Sequence, residues 1–572
     1  KKKFGAIIIL CFFYVYKTEL DWTGVEKDIP QKIHPTNTSI IDTESETETD
    51  TEVVFVRALE YIKRKAMDCF SEKKVAIDNV KDIQWIVTVP AIWSDRSKGL
   101  MMKWAEKAGL ISSATPNQLI IAYEPECASI SILCEMYDQG HVDFGAKDDE
   151  KKGDDEKKGD EKKKATMLMC GDGYMMLDLG GGTADIVCHE IKGAFDVREL
   201  IAPSGGAWGS TYIDQAFEAL LTDIFGFQAM QEFKALFPTK YRELISNFEK
   251  SKCEFYKGEN NCNSHPSKAR ARKHNVALPV EFDIFMNEKH EDLEQLVYDY
   301  EFKGSSGEID YIGSCLRLSF KIWKQLFDGI IDLIINHVKT LLSTYSSVLK
   351  DKLKCMCLVG GFSQSEYLQS RITAEFGDKY KLVIPRYPIL SVVDGAARLG
   401  KISHFVNSRI VNKTYGVSCA MHILEANENP GITPEYIQSH TFVSPLDGEE
   451  YVNGCFDAFI HKGEEVKVNQ VIERSCIGAL QDCWDDSDHY DIALIFATDE
   501  ENPAVTTGLK PLAAIQIQLP KNLQNVSYKL TNRFYFGNTT LKITTLLTTD
   551  ENERIENEVQ IDYDYQFKTL NQ

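Results

Sequence analysis

The chain has 572 residues, more than a single hydrophobic core usually supports, so its length predicts two or more domains. A formal net charge of −22 argues against duplex nucleic acid and acidic membranes as main partners, because both need clustered Lys and Arg. The fifteen cysteines form no Cys-x-x-Cys pair, which argues against a disulfide framework or a zinc ribbon and favours a reducing, cytoplasmic location.

An apolar run, Gly5 to Tyr16, follows three lysines at the N-terminus. It superficially resembles a signal peptide, but no small-residue cleavage site follows it. Its 12 residues are also too few for a bilayer, which takes about 20. We interpret the run as a buried strand and keep a membrane anchor as the alternative. Because the chain lacks an initiating Met, we also expect its beginning to be incomplete.

Strand-like and helix-like segments alternate in the next part of the chain. The run Ile83 to Val89 predicts a strand, and Ser94 to Ala108 predicts a helix that Ser94 caps and Gly109 ends. Such alternation favours α/β architecture.

The segment Lys147 to Lys164 interrupts this alternation. It contains eight positive and eight negative residues and two glycines, so it cannot bury a core. We interpret it as a flexible spacer, and an interaction tail is the alternative.

The stretch from Met175 to Val187 predicts a strand, a triple-glycine turn and a second strand. Glycines let consecutive N–H groups converge on an anion, which makes such a turn a phosphate-binding nest. Thr183 adds a hydroxyl, and Asp178 and Asp185 can hold the waters of a Mg²⁺ ion that neutralises phosphates. The alternative is a tight hairpin with no ligand.

A second glycine site, Gly360 and Gly361, stands between a strand pattern and a helix pattern. Ser363 and Glu366 have the spacing of a capping box for that helix. Two glycines at the start of a helix let the backbone approach a ligand closely, although a structural turn is the alternative. Together with the triple-glycine turn, the pair suggests a nucleotide held from two sides.

The chain has no GxxxxGK[ST] motif and no strand-coupled GxGxxG, so P-loop, protein-kinase and Rossmann sites are not indicated.

Two further patterns flank this glycine pair. Before it, Ser319 to Leu342 predicts a long amphipathic helix. After about Phe405, short β-prone runs broken by turn residues predict a separate β-rich domain. These runs include Val526 to Leu530, Arg533 to Phe536 and Thr539 to Leu547.

Six ordered motifs between about Trp85 and Gly400 resemble the seventy-kilodalton heat-shock chaperone family, and most closely its divergent type-12 branch. The motifs are Thr88-Val89-Pro90-Ala91-Ile92-Trp93 with Ala108-Gly109-Leu110, then Tyr123-Glu124-Pro125-Glu126, the triple-glycine hairpin, Gly205-Gly206-Ala207-Trp208-Gly209-Ser210-Thr211, Leu358-Val359-Gly360-Gly361-Phe362 and Val393-Asp394-Gly395-Ala396-Ala397-Arg398-Leu399-Gly400.

The resemblance implies an α/β fold of the two-lobed, actin-like ATPase type, with a cleft between the lobes and a β-rich C-terminal domain. We expect lobe I at residues 1–145, a charged insert at 146–165, lobe II at 166–405 and the β-rich domain at 406–572.

The resemblance also implies that the cleft binds ATP or ADP with Mg²⁺. Asp178 would hold metal-bound water, Glu124 would help to position the attacking water, and Lys17 is the candidate for the family's phosphate-contacting lysine. Catalytic roles fall on Glu124, Asp178 and Thr183, and water-mediated contact with Mg²⁺ falls on Asp178 and Asp185. The phosphates, ribose and adenine would be contacted by Gly180, Gly181, Gly182, Thr183, Glu249, Lys252, Gly360 and Gly361.

Three departures from the family pattern are visible. The family's first phosphate loop, an Asp-x-Gly-Thr turn near the N-terminus, is not found. Cys253 and Gln364 stand where typical members sandwich the adenine between arginines, so we expect base stacking to be weaker. No helical lid and no acidic docking tetrapeptide follow the β-rich region.

We therefore expect a cytoplasmic, heat-shock-like ATP-binding protein, in which the nucleotide sets the geometry of the β-rich domain. Its expected partners are the nucleotide and protein clients or co-chaperones, with no nucleic acid and no membrane. Two alternatives remain open. One is a non-catalytic pseudo-ATPase that binds or scaffolds; the other is a sugar-kinase-like phosphotransferase, for which no sugar-binding acid is visible.

Overall fold

A computed structural model of the protein describes the following residues: 7–11, 39–41, 48–74, 83–112, 115, 118–143, 168–256, 273–300, 307–402, 405–444, 447–479, 490–518, 527–537, 539–549, 554–559 and 561–562. Lys17 and the predicted charged insert at 146–165 lie outside the described residues.

Lobe I is built on a parallel three-stranded sheet. Its elements are β1 (Ile7–Cys11), β2 (Ser39–Ile41), β3 (Glu48–Asp50), α1 (Thr51–Glu72), β4 (Gln84–Val89), α2 (Asp95–Lys107), β5 (Leu119–Tyr123), α3 (Glu124–Asp138) and β6 (Val142–Asp143). The sheet has the order β1-β4-β5, so the carboxyl ends of all three strands lie at one edge. β1 lies within the apolar run that predicted it, and the rest of that run lies outside the described residues.

The helix α2 forms where the sequence predicts it, for the predicted reasons. The Ser94 hydroxyl accepts a hydrogen bond from the Ser97 N–H and caps the first turn. At the other end the chain leaves the helix through Gly109, whose φ is +69°, a conformation that glycine adopts without strain.

Lobe II is built on a larger sheet. Residues 168–402 contain β7 (Leu168–Met169), β8 (Gly173–Leu179), β9 (Ala184–Gly193), β10 (Asp196–Gly206), α4 (Thr211–Phe225), α5 (Phe227–Leu236), α6 (Pro238–Glu254), β11 (His274–Ala277), α7 (Val280–Lys289), α8 (Leu293–Asp299), β12 (Ile309–Tyr311), β13 (Cys315–Leu318), α9 (Phe320–Thr344), α10 (Ser346–Leu349), β14 (Leu353–Val359), α11 (Glu366–Phe376), β15 (Lys381–Val383) and α12 (Ser391–Leu399), with 3₁₀ turns at Phe362–Gln364 and Pro388–Leu390. The helix α12 returns to lobe I, where it packs on α3 and contacts β1 and β4.

The C-terminal region is mostly β structure. It contains β16 (Val406–Ile410), β17 (Thr414–His422), α13 (Ile423–Glu428), α14 (Pro434–His440), β18 (Thr441–Val443), β19 (Glu450–Ile460), β20 (Glu465–Lys467), β21 (Val471–Ala479), β22 (Tyr490–Thr498), β23 (Pro511–Gln518), β24 (Ser527–Tyr535), β25 (Lys542–Thr549), β26 (Arg554–Val559) and β27 (Ile561–Asp562). Two of its strands, β16 and β20, extend the sheet of lobe II, whose order is β15-β14-β8-β9-β10-β16-β20. The others form sheets of order β18-β19-β17-β22-β23-β27 and β21-β24-β25-β26.

The strand β8 lies between two hydrophobic cores. The alternation of its side chains between these cores determines which lobe Asp178, near its end, faces. Met175, Leu177 and Leu179 pack into the core of lobe II. Tyr174 and Met176, on the opposite face, pack into a second core shared with lobe I. Because side chains alternate along a strand, Asp178 lies on the face toward lobe I.

The helices, strands and sheets together confirm the predicted class: a two-lobed, actin-like α/β fold with a β-rich C-terminal region.

Two local predictions were wrong. Ser365, and not Ser363, caps α11, since its hydroxyl accepts from the Leu368 N–H. The Ser363 hydroxyl instead donates to the Val359 carbonyl at 2.6 Å, because a 3₁₀ turn separates the glycine pair from the helix. In the C-terminal region, the two runs predicted at 526–530 and 533–536 form one continuous strand, β24, which pairs with β21 and β25 along its length.

Candidate functional site

The triple-glycine turn joins β8 and β9 as the sequence predicts. The two strands pair antiparallel, with Asp178 directly opposite Asp185. The Gly180 N–H donates to the Thr183 carbonyl at 2.9 Å and closes the turn. The N–H groups of Gly181, Gly182 and Thr183 donate to none of the described residues. Consecutive N–H groups of this kind can bind an anion.

A second loop, from Gly209 to Thr211, holds the carbonyl side of this turn. The Ser210 and Thr211 N–H groups donate to the carbonyls of Gly180 and Gly181 at 3.1 and 2.9 Å, and the Thr211 hydroxyl donates to Gly181 at 2.7 Å. A Cβ on Gly209 would lie 2.1 Å from the Gly181 oxygen, so only glycine allows this approach. The turn is therefore fixed from one side, while its N–H groups remain available on the other.

The second glycine site lies directly against the first. Gly360 follows β14, which runs parallel to β8 with Val359 opposite Asp178. A Cβ on Gly360 would lie 2.7 Å from Asp178 Oδ1 and 2.4 Å from the Leu179 oxygen. The structure therefore brings together two glycine motifs that are 180 residues apart in the sequence.

Three carboxylates meet beside these glycines. Burial raises the pKa of Asp178 to about 7, and repulsion from Asp185 adds to the rise. Burial raises the pKa of Asp185 to about 6, although the Ile92 N–H donates to its Oδ1 at 3.0 Å and lowers it. Glu124 is the first residue of α3, and burial followed by the charges of both aspartates raises its pKa well above the usual range. A cation would favour the ionised form of all three.

Direct metal ligation is not indicated by these positions. Within the described ranges, no three His, Cys, Asp or Glu side chains are arranged to hold one metal ion between them. Repulsion among the three carboxylates can still raise the pKa values of Asp178 and Glu124, because electrostatic repulsion acts over longer distances than metal ligation does. Contact of Asp178 and Asp185 with Mg²⁺ through water stays a prediction.

The predicted ribose and adenine contacts lie on α6 and next to Gly361. Lys252 is buried, and its ammonium group donates to Asp214 Oδ1 at 2.6 Å and to the Ser210 carbonyl at 3.1 Å. It therefore ties α6 to the loop that holds the triple-glycine turn. Glu249 is partly buried one turn earlier. Cys253 and Gln364 are both exposed, and contact of these positions with an adenine stays a prediction.

One residue that the sequence did not single out joins this site to the C-terminal region. Arg409, in β16, pairs with both oxygens of Glu126 and with Glu199 at 3.1 Å, and its guanidinium lies 5.1 Å from the Tyr123 ring. Burial raises the pKa of Glu199 to about 7, although Arg409 opposes the rise. Glu126 belongs to the Tyr123-Glu124-Pro125-Glu126 motif. Arg409 lies after the last motif, and no sequence pattern marks a single arginine as a partner of that glutamate.

No family model matches the chain. The chain is 27% identical to heat shock 70 kDa protein 12A of Mus musculus, in an alignment that covers 93% of this chain and 79% of that protein. It is 26% identical to heat shock 70 kDa protein 12A of Homo sapiens, over 87% of this chain and 74% of that protein. It is 27% identical to heat shock 70 kDa protein 12B of Homo sapiens, over 80% and 67% respectively. Among the described residues, no helix is both long enough and apolar enough to span a membrane.

Proposed function

Because this chain is a relative of the type-12 branch of the heat shock 70 kDa proteins, we propose that it binds ATP or ADP with Mg²⁺ between its lobes. The observation that carries the proposal is the contact of Gly360 with Asp178 beside the triple-glycine turn. Neither glycine motif needs the other to form a turn. Their contact is explained if both backbones approach one ligand.

Each part of the site has a separate role in this proposal. The N–H groups of Gly181, Gly182 and Thr183 bind the phosphate oxygens, and the loop at 209–211 keeps the turn in shape before the ligand arrives. Asp178 and Asp185 hold water molecules of the ion, which neutralises phosphate charge. Glu124 orients the attacking water by accepting its hydrogen bond, which requires the ionised carboxylate that a nearby cation favours.

A non-catalytic nucleotide-binding protein is the second candidate. The strand β1 ends at Cys11 and pairs in parallel with β4, so its carboxyl end lies at the same sheet edge as Glu124. The sequence after Cys11 contains no Asp-x-Gly-Thr, the turn that forms half of the phosphate cradle in the family. This observation favours binding with little or no turnover.

For the rest of the molecule we propose a chaperone-type role in the cytoplasm, with protein clients or co-chaperones as partners. The nucleotide would change the geometry of the β-rich region through the strands that it shares with lobe II. Eleven cysteines whose side chains the structure describes are free thiols, which suits a reducing compartment.

Isothermal titration calorimetry with ATP and with ADP in Mg²⁺ buffer tests the proposal. We expect one site per chain, and we expect Asp178→Asn to abolish or strongly weaken binding. The matched control is Asp378→Asn, which makes the same chemical change at an exposed position and should leave binding unchanged. Equal binding by both variants would refute the proposed site. Phosphate release by the unmodified chain then separates the two candidates, because only the ATPase turns ATP over.

A further inference from the structure

A cavity of about 800 Å³, whose lining includes none of the residues of the phosphate turn, lies at the junction of lobe I, lobe II and the C-terminal region. Its walls come from the segment after β4, from the chain at 409–413, and from the strands β17, β23 and β24. Ligand sites in proteins usually have volumes of about 300–1,000 Å³. The cavity is therefore large enough for a small organic molecule.

The walls of this junction cavity are rich in aromatic rings. Trp93 and Tyr123 come from lobe I, whereas Tyr415, Tyr535 and Phe536 come from the C-terminal region. The rings of Tyr415 and Phe536 meet edge to face, with centroids 5.4 Å apart. Aromatic walls on two sides favour a flat apolar ligand, because planar groups stack or pack edge-on against such rings.

The charges around the cavity indicate the polar part of the ligand. Lys98 is paired with Asp95 at 2.7 Å, Arg409 with Glu126 and Glu199, and Lys413 with Asp499 at 3.0 Å. Lys510 is exposed at the cavity and makes no ion pair with any described residue. Arg96 also lines the cavity and has an interaction of its own. Of the three lysines in the described lining, Lys510 is thus the one whose ammonium group is left for an anion, in a chain whose net charge is −22.

We propose that the junction cavity binds a planar aromatic anion. Its rings lie between the aromatic walls, and its carboxylate or sulfonate pairs with Lys510. The site differs from the nucleotide site but adjoins it. The Ile92 N–H, on the cavity wall, donates to Asp185, and Tyr123 directly precedes Glu124. The proposal does not depend on nucleotide binding, so its test contains no nucleotide.

Two fluorescent probes that share an aromatic body make the test specific. One is 8-anilinonaphthalene-1-sulfonate, and the other is N-phenyl-1-naphthylamine, which lacks the sulfonate. We expect the sulfonate to bind the full chain at one saturable site and more tightly than the neutral amine. We expect Lys510→Glu to weaken sulfonate binding about tenfold, because an attraction becomes a repulsion, and to leave amine binding unchanged.

Lys529→Glu is the matched control, since Lys529 is an exposed lysine of the same region that does not line the cavity. It should not alter either affinity. Leu512→Trp fills part of the apolar wall and should weaken both probes, while circular dichroism verifies that the variant is folded. Sulfonate binding that is no tighter than amine binding, or that Lys510→Glu and Lys529→Glu affect equally, would overturn the proposal.

Discussion

At the scale of single residues, Gly360 requires glycine for two reasons, its backbone conformation and the space around it. Its φ is +84°, and any Cβ would overlap the Leu179 oxygen and approach Asp178. We expect Gly360→Ala to destabilise the protein by about 1–3 kcal/mol through backbone strain, with further loss from the overlap. Chemical denaturation monitored by circular dichroism measures this change.

The neighbouring glycine supplies the control. Gly361 has a φ of −66°, and its Cβ would make an ordinary contact with Ile389 at 3.6 Å. Gly361→Ala should therefore keep the free energy of unfolding within about 0.5 kcal/mol. Equal destabilisation by both variants would show that the close approach of Gly360 to Asp178 is not what requires glycine there.

The sequence predicts those residues whose chemistry follows from a local pattern. Asp178 and the triple glycine form such a pattern, and the structure places them in one hairpin. The contact between Gly360 and Asp178 follows from strand order, which no local pattern encodes. Arg409 was missed because its role depends on burial beside two carboxylates that lie in other parts of the chain.

At the scale of elements, the hairpin of β8 and β9 places two carboxylates opposite each other. Like charges in this arrangement destabilise a sheet. The folded-state pKa of Asp178, about 7, lies above its ordinary value of 3.8, so folding favours the protonated form. This group therefore stabilises the fold at low pH, and that contribution is lost as the pH rises from about 4 to about 7.

We expect Asp178→Asn to remove this pH dependence. Without Mg²⁺ or nucleotide, the variant should gain in Tm relative to the unmodified chain as the pH rises from about 4 to about 7, and the difference should stay constant above that. Differential scanning calorimetry at several pH values measures it, with Asp378→Asn as the reference. A Tm difference that is independent of pH would mean that folding does not raise the pKa of Asp178, so that this carboxylate is already ionised in the folded protein above about pH 4.

Element boundaries show where local patterns are sufficient and where they are not. The predicted helix at 319–342 is α9, because an apolar stripe and a capping serine determine it locally. The cap of α11 was predicted at Ser363 but lies at Ser365, because the residues directly after the glycine pair form a 3₁₀ turn before the helix begins. β24 is longer than predicted because pairing on both edges carries the strand across residues that interrupt its local pattern.

At the scale of the whole molecule, Arg409 connects lobe I, lobe II and the C-terminal region. We expect Arg409→Met to destabilise the protein by about 3–5 kcal/mol, because it leaves Glu126 and Glu199 buried without their cation. Urea denaturation measures this loss. Adding Glu126→Gln and Glu199→Gln to the variant should recover part of it, since the unpaired charges are then removed.

Arg386→Met is the control for this prediction. Arg386 is exposed, so the same change there should alter the free energy of unfolding by no more than about 0.5 kcal/mol. If the triple variant is no more stable than Arg409→Met, buried unpaired charge is not the cause of the loss, and the packing of the arginine side chain is.

The return of α12 to lobe I has a consequence for synthesis on the ribosome. Gly395 packs directly on the backbone of Cys127 in α3, and Ser131 donates to Asp394 across 263 residues of sequence. At about 5–20 residues per second, the ribosome needs roughly 13–50 s to make the intervening chain. Throughout that interval the nascent α3 lacks its covering helix. Lobe I thus emerges well before the helix that covers α3 and can finish folding only after that helix has been made, so cotranslational aggregation should begin there.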